Sequence, residues 1–177
     1  MACNLPEDQK EFLYSLYLLL KSAPLTPHGR YRAFEAAAGD LQPWHIEGIS
    51  LKALEQLVAK RSAKGLRRAH RMARKERAIR IFDCHTPMER EDMLSYFYDN
   101  DVVTLVTAEE NAEDGVAHWS AAIPVPAERL RGGTYSTYAT KVDVLWAAQQ
   151  LAAHLAAQLP EGLEDDSQAE EFAPEYE

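Results

Sequence analysis

The chain has 177 residues, 46% hydrophobic and 27% charged, which suits one domain with a real core and is ordinary for a globular protein. Two cysteines, Cys3 and Cys84, are too few for a disulfide framework, and no apolar run reaches the ~18 residues a membrane span needs. The net charge of −9 argues at first against a nucleic-acid partner, but ten basic residues against Glu76 alone put the stretch Lys60–Arg80 at +9 and the remainder at −18.

The first residues, Met-Ala-Cys-Asn-Leu-Pro-Glu-Asp, carry no positive n-region, so no secretory signal is expected and a cytoplasmic location follows by elimination. Residues 7–22 predict an amphipathic helix, with Leu13, Leu16, Tyr17 and Leu20 at spacings of three and four and Pro24 blocking its continuation. A second short helix is expected over 27–38, stopping near Gly39. Pro43-Trp44-His45-Ile46-Glu47-Gly48 reads as a turn or short extended piece. Ser50 then caps a helix to about residue 62 that buries Leu51, Leu54, Leu57 and Val58 and is broken by Gly65.

Residues 66–82 are compatible with one weak helical stripe, or with a strand over Leu66–Met72 leading into a helix from Lys75. Thr86 with Glu89 predicts a capping box for a helix burying Met88, Met93, Leu94 and Phe97. Asp99-Asn100-Asp101 is a turn signal, Val102–Thr107 the clearest strand, and Ala108–Asn111 a corner or short helical turn. Trp119–Val125 reads as a second strand and Arg131–Thr134 as a loop. Residues 140–158 predict a final helix with Val144, Leu145, Ala148, Leu151, Ala152 and Leu155 on one side. The expected fold is α+β: N-terminal helices, a small antiparallel sheet near 102–125 and a long C-terminal helix. One globular domain spans 1–160. Eight of the seventeen residues in 161–177 are acidic, so that stretch predicts a solvated tail, or one that folds back on the basic segment.

The basic segment is where chemistry is expected. A merely solvated helix mixes signs to gain i,i+4 pairs, whereas this stretch would repel itself unless a polyanion or an acidic partner neutralised it. Arg67, Arg68, Arg71, Arg74, Lys75 and Arg77 are therefore the candidate nucleic-acid contacts. His70 lies among them, and like charges should hold its imidazole neutral, as a general base for water requires. The simpler reading of His70 is a packing residue. Asp83-Cys84-His85 offers metal-ligand types, but three neighbours cannot converge on one ion from a regular element. Arg129–Tyr138, with Gly132-Gly133 and two tyrosines, could hold a phosphate or stack a base, or be only the loop before the last helix.

Arg68-Ala69-His70, followed by Asp99–Asp101, Val103-Thr104-Leu105 and Asn111, resembles the HNH, or ββα-metal, nuclease family over residues 66–112. The resemblance implies a metal-dependent endonuclease that cleaves phosphodiester bonds. His70 would be its base, Asn111 and Asp101 would hold Mg²⁺ or Mn²⁺, and the arginines would position the backbone. The chain departs from the family in lacking paired C-x-x-C knuckles, in placing Asp101 where the middle Asn falls, and in a longer stretch between His70 and the second motif. A non-enzymatic DNA- or RNA-binding module, with DNA expected before RNA, and a protein-interaction factor docking on an acidic partner are the alternatives.

Overall fold

The computed structural model describes residues 4–42, 44–113, 122–132 and 137–158. In chain order the elements are α1 (Glu7–Ser22), α2 (Pro27–Leu41), β1 (His45–Ile49), α3 (Leu51–Lys60), β2 (Arg67–His70), α4 (Arg74–Phe82), α5 (Arg90–Asp99), β3 (Val102–Val106), α6 (Ala108–Ala112), β4 (Ile123–Pro124), β5 (Arg131–Gly132), β6 (Thr137–Tyr138) and α7 (Lys141–Ala157). The class is α+β. The sheet, however, is mixed rather than antiparallel: its order is β2-β3-β1-β4, with β1 parallel to β3 and the other pairs antiparallel. The two strands expected to pair, β3 and β4, are separated by β1, the segment whose sequence read only as a turn or extended piece.

Local chemistry sets most helix starts. Thr26 accepts from the Gly29 amide ahead of Pro27, Ser50 accepts from the Ala53 amide, and Thr140 forms a reciprocal capping box with Asp143. Where tertiary bonds intervene, the boundaries move. The Tyr17 hydroxyl accepts from the Met88 amide at 2.9 Å while the Tyr14 hydroxyl donates to the Met88 carbonyl at 3.1 Å. Both groups are thereby held outside a helix, so α5 begins at Arg90 with Glu89 as its cap, not at Thr86. Helix α2 runs past Gly39 to Leu41 because Ala38 and Gly39 are buried, and burial outweighs the ~1 kcal/mol propensity cost of glycine. Helix α3 ends at Arg61 in the left-handed region (φ 50°), ahead of Gly65, where the sequence predicts the break.

Two hydrophobic clusters form. One joins α1, α2, α4 and α5 through Leu13, Tyr17, Phe34, Ile81, Phe82 and Phe97. The other packs β1 and β3 against α3 and α7 through Ile46, Ile49, Leu54, Leu57, Val103, Leu105 and Trp146. The inward face of α7 is Asp143, Trp146 and Ala147, with Val144 and Leu151 packed beside them; Leu145 and Leu155, expected inside, are exposed. That helix is apolar on nearly every side, so periodicity alone could not choose its face. Part of the expected strand 119–125 and all of the acidic stretch 161–177 lie outside the described residues.

Strand directions sort the site residues into two groups. β2 ends where β3 begins, with His70 opposite Val103, and β1 starts there too, with His45 opposite Val102. Trp44, His70 and Asp101 therefore share one end of the sheet. Ser50, Arg67, Thr107 and α6 share the other, where the buried Glu110 carboxylate accepts from the Ser50 hydroxyl at 2.7 Å and the Thr107 amide at 2.8 Å.

Candidate functional site

The basic segment divides into an inward and an outward set. Arg77, on the face of α4 that meets α2 and the sheet end, is fully buried. Its guanidinium pairs with Asp101 through Nη1, donates from Nη2 to His70 Nδ1 at 2.9 Å, and lies 5.2 Å over the Tyr31 ring. Arg74, one turn earlier, donates from Nε to Glu35 Oε1 of α2 at 2.9 Å. The Arg68 guanidinium stacks 4.1 Å over the Trp44 ring, which packs edge-to-face with His70 at a centroid separation of 5.2 Å. Arg71 pairs with Glu47 at the surface. Burying a guanidinium without a carboxylate would cost several kcal/mol, so Asp101 and Glu35 are what allow these arginines to point inward.

The outward set consists of Lys60, Arg61, Lys64, Arg67, Lys75 and Arg80. All are exposed and, among the described residues, none makes an ion pair with a carboxylate. Of the six candidate nucleic-acid contacts, Arg67 and Lys75 belong to this set. Arg77 does not: its zero exposure removes it from any surface contact, because its charge is spent on Asp101. Arg68 and Arg74 are half-buried, and Arg71 is exposed but paired.

His70 is held neutral, its pKa pushed down to about 2, by burial first and then by Arg77, Arg74 and Arg68. Charge was the cause expected from sequence; desolvation proves the larger one. Neutrality does not make it a base here. A guanidinium can only donate, so Nδ1 is the acceptor and the ring proton sits on Nε2. Among the described residues Nε2 is buried without a partner. The nitrogen with a lone pair is thus occupied by Arg77, and the other faces no solvent. Asp101, in the same junction, is pushed up to about 6 by burial, which the Arg77 charge only partly opposes.

The proposed metal ligands do not fit one ion. Asp101 precedes β3 and Asn111 follows it on α6, so the strand alone separates them by about 20 Å at ~3.3 Å per residue, and four helical residues recover at most ~6 Å. Ligand oxygens on one Mg²⁺ lie ~2.1 Å from it. His70 sits at the Asp101 end, and so is also remote from the exposed Asn111. Among the described residues, no three His, Cys, Asp or Glu side chains group as a metal site.

Three residues that organise this junction carried no sequence signal strong enough to single them out as site residues: Tyr31, Glu35 and Trp44. Glu35 within the apolar run Phe34-Glu35-Ala36-Ala37-Ala38 was the one available hint, since a buried carboxylate demands a cation. The chain matches no family model, no curated protein and no solved structure. Among the described residues no helix is long and apolar enough to cross a membrane.

Proposed function

We propose that this protein binds a polyanion, nucleic acid foremost and DNA before RNA, through the outward cations Lys60, Arg61, Lys64, Arg67, Lys75 and Arg80. The observation that carries the reading is that these six stay exposed and, among the described residues, without carboxylate partners in a chain whose net charge is −9. Arg71, Arg74 and Arg77 of the same stretch do meet carboxylates, on Glu47, Glu35 and Asp101. Six solvated cations cost little singly, and each phosphate that meets one releases condensed counterions, so binding strengthens as salt falls. The test is retention of the full chain on immobilised duplex DNA and on heparin across a salt gradient. Retention at low salt is expected, with loss after the combined substitution Lys60→Glu, Arg61→Glu, Lys64→Glu and Arg67→Glu. Flow-through of the wild-type protein at low salt on both matrices overturns the reading.

One observation favours a second reading, an HNH-like endonuclease. β2, which carries Arg68-Ala69-His70, pairs antiparallel with β3, and α6 follows β3 at once; this resembles the two strands and helix of that family, with α4 and α5 inserted between the strands. It would require His70 to release Arg77 and a ligand set other than Asp101 with Asn111. Incubation with supercoiled plasmid and Mg²⁺ or Mn²⁺ tests it: nicking that disappears in His70→Ala, with the fold intact, would restore the catalytic reading.

A further inference from the structure

We infer that the groove between α3 and the start of α7 is a docking surface for the chain's own acidic segment, residues 161–177. The groove has a volume of about 560 Å³ and is lined by Val58, Val144, Leu145 and Ala148, with Arg61 and Lys141 at its rim. Leu145 is 60% exposed and Val142, one turn earlier on α7, is 54% exposed, so apolar surface continues outside the groove. A continuous apolar surface of this kind on a small domain marks a contact with something. The rim selects its sign: Arg61 and Lys141 make no ion pair among the described residues, and both suit an acidic, partly apolar segment.

Residues 161–177 have that composition. Eight acidic residues are interspersed with Leu163, Phe172 and Tyr176. The reach is sufficient. Leu145 lies thirteen residues before Gln158, about 20 Å back along α7 at ~1.5 Å per residue. Phe172 lies fourteen residues after Gln158 and can extend up to ~46 Å from it. Because tail and groove are covalently joined, contacts too weak to hold a free peptide can hold this one. Arg61 belongs both to the groove rim and to the outward cations, with Lys60 and Lys64 beside it in the chain. A docked tail therefore sets carboxylates against part of the surface proposed for the polyanion. This competition rests on the proposed function; the docking itself does not.

Zero-length carbodiimide cross-linking of the full chain at low salt, followed by peptide mapping, tests the contact. Cross-links are expected within single molecules, from Lys141, Lys60 or Lys64 to carboxylates of 161–177. They should fall several-fold in Leu145→Glu, an exposed substitution that puts a like charge in the groove and leaves the core alone. No such cross-links, cross-links found only between two molecules, or yields unchanged by Leu145→Glu would each overturn the inference. Retention on DNA of a full-length variant with the eight acids replaced by Gln or Asn reads the competition. Its elution is expected at higher salt than wild type; cross-linking without any DNA retention, in wild type or variant, would sink the proposed function and leave the docking intact.

Discussion

Arg77 and Arg67 lie ten residues apart in one basic stretch and are held by opposite physics. Arg77 is fully buried, and its charge is tolerable because Asp101, His70 and the Tyr31 ring surround it. Arg67 begins an edge strand, reaches solvent and pairs with no carboxylate among the described residues. The same residue type thus serves as a structural counter-ion in one place and as open positive potential in the other. Sequence charge cannot tell these apart, because the difference is whether a carboxylate from a distant element arrives.

Substitutions graded from the buried end to the exposed end sharpen that contrast. The largest effect is expected for Arg77→Ala, which strands the Asp101 carboxylate in the interior and should cost about 3–5 kcal/mol in denaturant unfolding. Adding Asp101→Ala should recover part of that loss, since neither charge is then left alone; a double variant as unstable as the sum of the two singles would mean the pair is not coupled.

Next comes pH. The folded protein holds His70 at about 2, against 6.5 in the unfolded chain, so unfolding takes up a proton at any pH between. This contribution is complete above pH 6.5 and is lost at about 1.4 kcal/mol per pH unit below it. Asp101 acts in the other direction: its pKa of about 6 exceeds the 3.8 of the unfolded chain, so its burial cost is present above pH 6 and is relieved as pH falls toward 4. His70→Gln should therefore gain stability relative to wild type by about 1.4 kcal/mol per unit as pH is lowered from 6.5. A stability difference that does not vary over pH 7 to 4 would remove His70 from the buried junction.

Smaller still is Arg71→Ala, which breaks a pair with Glu47 whose side chains are 61% and 44% exposed. Screening by solvent limits this to about 0.2–1 kcal/mol, decreasing with added salt. Smallest in stability is Arg67→Ala, expected within about 0.5 kcal/mol of wild type. Its effect should appear instead in binding, where loss of one phosphate contact lowers the slope of log affinity against log salt by about 0.9. If Arg77→Ala and Arg67→Ala shift stability equally, the division into inward and outward sets is wrong.

How legible all this was in the sequence differs by element. α1, α3, β3 and α7 came through because amphipathic spacing, a β-branched run and Ser or Thr caps are local signals. The strand-then-helix alternative for 66–82 also matched, as β2 and α4. The start of α5 did not, because Tyr14 and Tyr17, some seventy residues earlier, hold the Met88 backbone. The candidate site was half legible. Its cationic character and the neutrality of His70 followed from composition, yet the pairing of Asp101 with Asn111 did not survive, since a strand keeps its two ends apart.

By itself, then, the chain's order of residues determined where charge concentrates and which short stretches form helices or strands, because both depend on near neighbours. Tertiary structure alone decided that β1 would separate β3 from β4, that Arg77 would turn inward to Asp101, and that the lone pair of His70 would be taken. Those outcomes depend on which groups meet across the fold, and a buried charge goes where its counter-charge can reach it.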